Sequence, residues 1–227
     1  MIKDKDRISI QVGLSGYSFK IQADGAKERS SDWMSAEKIF NTPEFLRRYD
    51  DIEISVFTPK FTLVPSGFHA PDSSRRMLSE VSSLEDQDLV ECVDVPQFGA
   101  VLLYSLNVGG TLAKVVSESV MHVDGSKARM LPETYFMLSS MPEIGEYNKI
   151  VASYMDGYLY LAIAQGKSLM LCNSFRAPDF TTAEYFIFMA MKKLQLNPEM
   201  SSIHFRTPLS EDQEMSLYRY FRSVEHI

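Results

Sequence analysis

The chain has 227 residues, 45% hydrophobic and 23% charged, a balance that suits one large globular domain or two modest ones and excludes a disordered chain. Lys and Arg number 23 against 30 Asp and Glu, for a net charge of −7, and the pairs Arg47-Arg48, Arg75-Arg76 and Lys192-Lys193 are too scattered for a phosphate-backbone binder. Nucleic acid is therefore disfavoured as a partner. The longest fully apolar run, Tyr185 to Met191, falls far short of the ~20 residues of a membrane span, and Met1 to Arg7 carries charge rather than a signal-peptide core. The expectation is a cytoplasmic protein without a membrane partner.

Arg7 to Val12 alternates, with Ile8, Ile10 and Val12 on one face and Ser9 and Gln11 on the other. After Gly13-Leu14-Ser15-Gly16 the alternation resumes through Tyr17, Phe19 and Ile21, which predicts a β-hairpin. Asp24-Gly25 is a further turn signal, and Lys27 to Trp33 is a weaker third strand. Ser35 to Tyr49 reads as helical, with an interruption at Asn41-Thr42-Pro43. Ile52 to Phe57 reads as a strand that continues past Pro59 into Phe61 to Val64. Pro71 to Leu84 has helical spacing, and Leu89 to Val95 closes the series as a strand.

The far end reads in the same order. Lys149 to Met155, Tyr158 to Ala164 and Ser168 to Phe175 are strands joined by turns at Asp156-Gly157 and Gln165-Gly166-Lys167. A helix opens at Thr181-Thr182, either threonine serving as N-cap, and runs to about Leu196; being apolar nearly all round, it is expected between layers. Ser202 to Arg206, Ser210 to Arg222 and Val224 to Ile227 complete a strand, a helix and a strand. Both ends thus read β-β-β-α-β-α-β, an α/β arrangement of mixed sheets, since parallel strands need crossover helices. The expected division is a first half at 1–120, an irregular connection at 121–148 and a second half at 149–227; the connection follows a strand (Ala100 to Leu106) and a helix after Gly109-Gly110.

This order, met twice, resembles the ribonuclease-H-like fold as duplicated in the actin-like ATPase superfamily. The phrase from Ile8 to Ile21 also looks like the start of an uncharacterised bacterial family with that fold. The resemblance implies a nucleotide between the halves and a phosphate loop in each opening hairpin. It also implies an acid near the end of each first strand to order Mg²⁺ and water, and glycines that let backbone N–H groups approach phosphate. In the first half, Gln11-Val12-Gly13 stands where the acid belongs, with Ser15 and Gly16 in the turn. In the second, Ser153 stands at the acid's place and Asp156-Gly157 follows, crowded by Tyr154, Met155 and Tyr158.

The candidate phosphate-loop residues are therefore Gly13, Ser15, Gly16, Asp156 and Gly157, each of which also serves a plain hairpin turn. No residue is assigned a catalytic role and none a metal-ligating one. No Walker-type loop, Gly-x-Ser-x-Gly elbow or zinc-ligand spacing among His69, His122, His204 and His226 occurs. The acids Glu85, Asp86, Asp88, Glu91 and Asp94 read as a solvated loop and strand edge rather than a Ca²⁺ loop. Cys92 and Cys172, each inside an apolar run, read as buried reduced thiols. Two functions are left in competition, with a small-ligand sensor using the cleft between the halves as a third class that the sequence does not separate from them. One is a non-catalytic interaction or scaffold protein on a degenerate actin-like ATPase fold, with a protein partner. The other is a divergent Mg²⁺-dependent nucleotide-binding ATPase that takes ATP between the halves.

Overall fold

The computed structural model describes residues 6–23, 27, 29–106 and 110–227. The predicted turn at Asp24-Gly25 and the residue Gly109 lie outside these. The chain forms two compact units, 1–57 with 106–133 and 58–105 with 134–227.

In the first unit, β1 (Arg7–Val12) and β2 (Gly16–Gln22) pair antiparallel from Arg7 opposite Gln22 to Val12 opposite Tyr17. The predicted third strand shrinks to two short pieces, β3 (Arg29–Ser30) and β4 (Met34–Ser35), both paired with β2. The predicted helix at 35–49 is two 3₁₀ turns, Ala36–Asn41 and Pro43–Leu46, followed by the two-residue strand β5 (Arg48–Tyr49). Pro43 lies at the start of the second turn, where its missing N–H costs nothing. Strand β6 (Asp51–Val56) then pairs in parallel with β1.

The next segment departs from the sequence reading. Strand β7 (Phe61–Pro65) does not continue β6. It pairs with β9 (Ala100–Ser105), which also pairs with β8 (Val90–Val95), in a separate three-stranded antiparallel sheet. The helix expected at 71–84 is a 3₁₀ turn and α1 (Ser74–Ser79). Residues 58–105 are therefore an insertion, and β8 is not the fifth strand of the first sheet. That strand is β11 (Met130–Pro132), parallel to β6 and reached through α2 (Gly110–Ser119) and the short β10 (Met121–His122), which pairs with β5. The stretch 121–148 is accordingly more regular than expected, and α3 (Glu133–Ser140) follows β11 directly.

The second unit keeps closer to its predicted outline: β12 (Asn148–Met155), β13 (Tyr158–Gln165), β14 (Ser168–Arg176), α4 (Phe180–Lys193), β15 (Ser202–Phe205), α5 (Glu211–Tyr218) and β16 (Ser223–His226). The N-cap of α4 is Asp179, whose carboxylate accepts from the Thr182 N–H at 2.7 Å, not a threonine. Ser210 and Gln213 form a reciprocal capping box on α5. Helix α4 buries one stripe (Ala183, Ile187, Ala190 and Met191) and exposes Tyr185, so it covers one face rather than lying between layers.

The long sheets share one strand order. The first runs β3-β2-β1-β6-β11 and the second β14-β13-β12-β15-β16, the third, second, first, fourth and fifth strands of each repeat. Each has its own core. Ile8, Ile10, Val12, Ile54, Phe45 and Val116 pack in the first, and Ile150, Leu161, Ile187, Phe205 and Leu217 in the second. Burying each such side chain stabilises by roughly 1.5–3 kcal/mol.

Candidate functional site

In an open sheet with parallel strands, chemistry is expected at the carboxyl ends of those strands. In the first unit these are the ends of β1, β6 and β11. Strand β1 presents Arg7, Ser9 and Gln11 opposite Asp51, Glu53 and Ser55 of β6, a polar ladder set by the parallel register. Arg7 meets Asp51 at 3.4 Å and also Glu53, and the Ser9 hydroxyl donates to Glu53 at 3.2 Å. The last rung is different. Glu133, the residue after β11, is 0% exposed; Gln11 Nε2 donates to its Oε1 at 3.1 Å, and the Ser55 hydroxyl donates to its Oε2. The Ser18 hydroxyl in turn donates to Gln11 Oε1 at 3.4 Å. A buried carboxylate needs such donors, because an unpaired one costs far more than a neutral group. Its place in the first turn of α3 adds the favourable end of the helix dipole.

The turn beside this cluster holds Gly13, Ser15 and Gly16. The Gly13 N–H donates to the Gly16 carbonyl at 2.9 Å, and the Ser15 carbonyl accepts from the Ala36 N–H at 3.2 Å. A Cβ on Gly16 would stand 2.1 Å from the Met34 carbonyl oxygen and 2.7 Å from Trp33 Nε1. Gly16 therefore lets β4 close onto β2. Ser15 is exposed and Gly13 is buried. A magnesium phosphate does not fit this turn. Glu133, at the end of the neighbouring strands, is fully buried with both oxygens hydrogen-bonded, and the amide of Gln11 is engaged at both ends.

Asp156 and Gly157 belong to the second unit. With φ of 51° and 74° they are the two central residues of a hairpin turn between Met155 and Tyr158. Positive φ at both is the geometry for which Asp-Gly is favoured. The Gly157 carbonyl accepts from the Ala177 N–H at 2.8 Å. Ser153 is fully buried. Next to it, the Tyr154 N–H donates to Thr207 Oγ1, and the Tyr154 hydroxyl donates to the Ala177 carbonyl while its ring packs edge-on against Phe180. Burial raises the Tyr154 phenol above its ordinary value, with Asp179 adding to the effect.

Elsewhere in the second unit Asp88 is buried rather than solvated. Lys60 Nζ and the Glu85 N–H reach its Oδ2, each at 2.7 Å, and Ser105 reaches its Oδ1 at 2.9 Å. The Lys60 bond first, then those from Glu85 and Ser105, hold its carboxyl down at about 2 against the cost of burial. Neither Cys92 nor Cys172 is in a disulfide; each residue is half-buried, and burial of the Cys172 thiol itself pushes it up to about 12. Among the described residues no group of three or more His, Cys, Asp and Glu is placed to hold a metal ion. Within those residues no helix is long and apolar enough to cross a membrane.

Two mixed sheets, of six and five strands, that share a five-strand order and each open on a hairpin define an actin-like ATPase fold made of two ribonuclease-H-like halves. A Bacteroides thetaiotaomicron protein described as having an actin-like ATPase fold and unknown function is 17% identical, with a TM-score of 0.67 over 98% of this chain and 90% of that one. A chain of the PilM–PilN type IV pilus biogenesis complex gives 11% identity and a TM-score of 0.56 over 97% and 88%. The cytoplasmic domain of Vibrio cholerae EpsL, an inner membrane component of the type II secretion system, gives 11% and 0.51 over 91% and 84%. No curated protein matches the sequence. The chain belongs to the family described as "Protein of unknown function (DUF3822)", whose model matches residues 3–224.

Proposed function

We propose that this chain is a non-catalytic interaction or scaffold protein on a degenerate actin-like ATPase fold. The observation that carries the reading is the bonding of Gln11. The end of β1, where this fold would place a metal-ordering acid, holds an amide that joins Ser18 to the buried Glu133. Those groups serve the packing of the first unit instead of facing a ligand. The fold relatives from the type II secretion system and from the PilM–PilN complex are components of protein assemblies, which favours a protein partner here by analogy of fold. Large exposed side chains in the first unit, Phe40 at 80% and Leu46 at 83%, offer apolar area of the kind such contacts use.

The test has two arms. Millimolar ATP with Mg²⁺ leaves the melting temperature unchanged, whereas a nucleotide bound only by the native state would stabilise by about 2.7 kcal/mol at a hundred times its Kd. Mg²⁺-dependent hydrolysis that disappears in Asp156→Asn would establish the ATPase reading instead. In the second arm, Phe40→Ser with Leu46→Ser leaves the fold intact and reduces cross-linking to a native partner.

A further inference from the structure

We propose that the first unit carries a binding pocket for a small oxyanion-bearing ligand with an apolar body, on the face of β2 turned toward the second 3₁₀ turn. The cavity measures about 320 Å³, at the lower end of small-molecule sites. Its apolar wall is Phe19 and Ile21, and among the described residues its lining also holds Lys27, Arg29 and Arg47 with one carboxylate, Glu44. Phe19 is held in place by an edge-on contact with the buried Phe45, ring centroids 5.8 Å apart, so the wall is pre-formed.

The charge at this place runs against the rest of the molecule. The protein carries −7 overall, yet among the described residues the lining holds three cations and one anion. Among the described residues none of Lys27, Arg29 and Arg47 forms an ion pair, whereas Arg7, Lys60 and Arg222 each do. Like charges converging on one concavity repel unless something answers them, and the planar fork of arginine matches a carboxylate or phosphoryl group. Ser31, also on the wall, accepts from the Phe19 N–H at 2.9 Å, which leaves its own hydroxyl hydrogen to donate to a ligand. Because the cations are exposed, their attraction alone is weak and screened by salt. Affinity therefore requires the apolar body against Phe19 as well as the anion, and a bare ion binds poorly. The site is independent of the scaffold reading, since it uses neither hairpin turn.

Titration calorimetry with phenyl phosphate, benzoate and inorganic phosphate tests this. Saturable binding of phenyl phosphate or benzoate is expected. It should weaken about tenfold in Arg29→Ala and in Arg47→Ala, weaken further in the double variant, fall with added salt, and exceed that of inorganic phosphate. The ratio of the two aromatic probes tells a phosphoryl from a carboxylate ligand. Both arginines are exposed, so the variants keep their fold, which circular dichroism verifies. The proposal fails if neither aromatic probe saturates at millimolar concentration, or if binding persists unchanged in the double variant.

Discussion

Replacing Gln11 by Glu tests whether the amide is there to hold Glu133. The shapes are nearly equal, so the change exchanges a donor for an acceptor 3.1 Å from Glu133 Oε1. Two ionised carboxylates at that distance repel by roughly 5 kcal/mol at an effective dielectric constant of about 20. The alternative is to keep one proton on the pair at neutral pH. For a carboxyl with an ordinary value of about 4.3 this costs roughly 3.7 kcal/mol at pH 7, at about 1.4 kcal/mol per unit. The cheaper route wins, so Gln11→Glu should destabilise by about 3–4 kcal/mol at pH 7. For a chain of this size that is roughly 2–4 °C of melting temperature per kcal/mol. The folded variant then binds one proton more than the unfolded chain, so its stability rises as pH falls, by about 1.4 kcal/mol per unit down to about pH 4. Thermal or urea melts from pH 7 to pH 5 read this directly. Adding Glu133→Gln to Gln11→Glu restores one amide and one carboxylate in exchanged places and should recover most of the loss. A pH-independent loss, or a double variant no better than Gln11→Glu, would refute the pairing argument.

Asp88 titrates from about 2 in the folded protein and from its ordinary 3.8 when unfolded, so its contribution is present above about pH 4 and lost as pH falls toward 2. The stability gap between the native protein and Asp88→Asn should shrink over that window; a constant gap would contradict the Lys60 pairing. Gln195 ends α4 at φ 56° in a Schellman arrangement, with Leu196 N–H donating to the Met191 carbonyl, so Gln195→Gly should stabilise by about 0.5–1 kcal/mol in urea melts. Gly16→Ala forces Met34 away from β2 and should cost about 1–3 kcal/mol or more, with faster amide exchange at the β2–β4 pair. Burial keeps the Cys172 thiol protonated at pH 8, so iodoacetamide should label it much more slowly in the native protein than in denaturant.

The stretch from β12 to β16 was legible because its signals are local. Two-residue turns at Asp156-Gly157 and Gly166-Lys167 separate strands of eight and nine residues. The segment 58–105 misled for a physical reason. Periodicity records that β8 is a strand but not which sheet it joins, and β8 pairs with β9 rather than beside β6. The true fifth strand is three residues long, Met130–Pro132, too short for alternation to register. The interruption expected at Asn41-Thr42-Pro43 is present, fixed by a 2.5 Å hydrogen bond between the Tyr17 and Thr42 hydroxyls, but the pieces on either side of it are 3₁₀ turns rather than a helix.

The candidate site divides in the same way. The turns at 13–16 and 156–157 could be read from Gly, Ser and Asp, whose φ preferences act within a few residues. Glu133 could not, because its partner Gln11 lies 122 residues away and no periodicity links them. A partial signal existed: the polar sides of β1 and β6, Arg7-Ser9-Gln11 and Asp51-Glu53-Ser55, leave Ser55 and Gln11 as uncharged donors at the end of a ladder that is otherwise ionic. Both side chains can donate, and in the fold both donate to Glu133. It follows that the missing acid at position 11 is a requirement of the burial of Glu133. A carboxylate at each position would place two like charges within hydrogen-bond distance, so an amide must stand at one of them. The first unit keeps one carboxylate at the carboxyl end of its parallel strands, and keeps it closed off by Gln11 and Ser55.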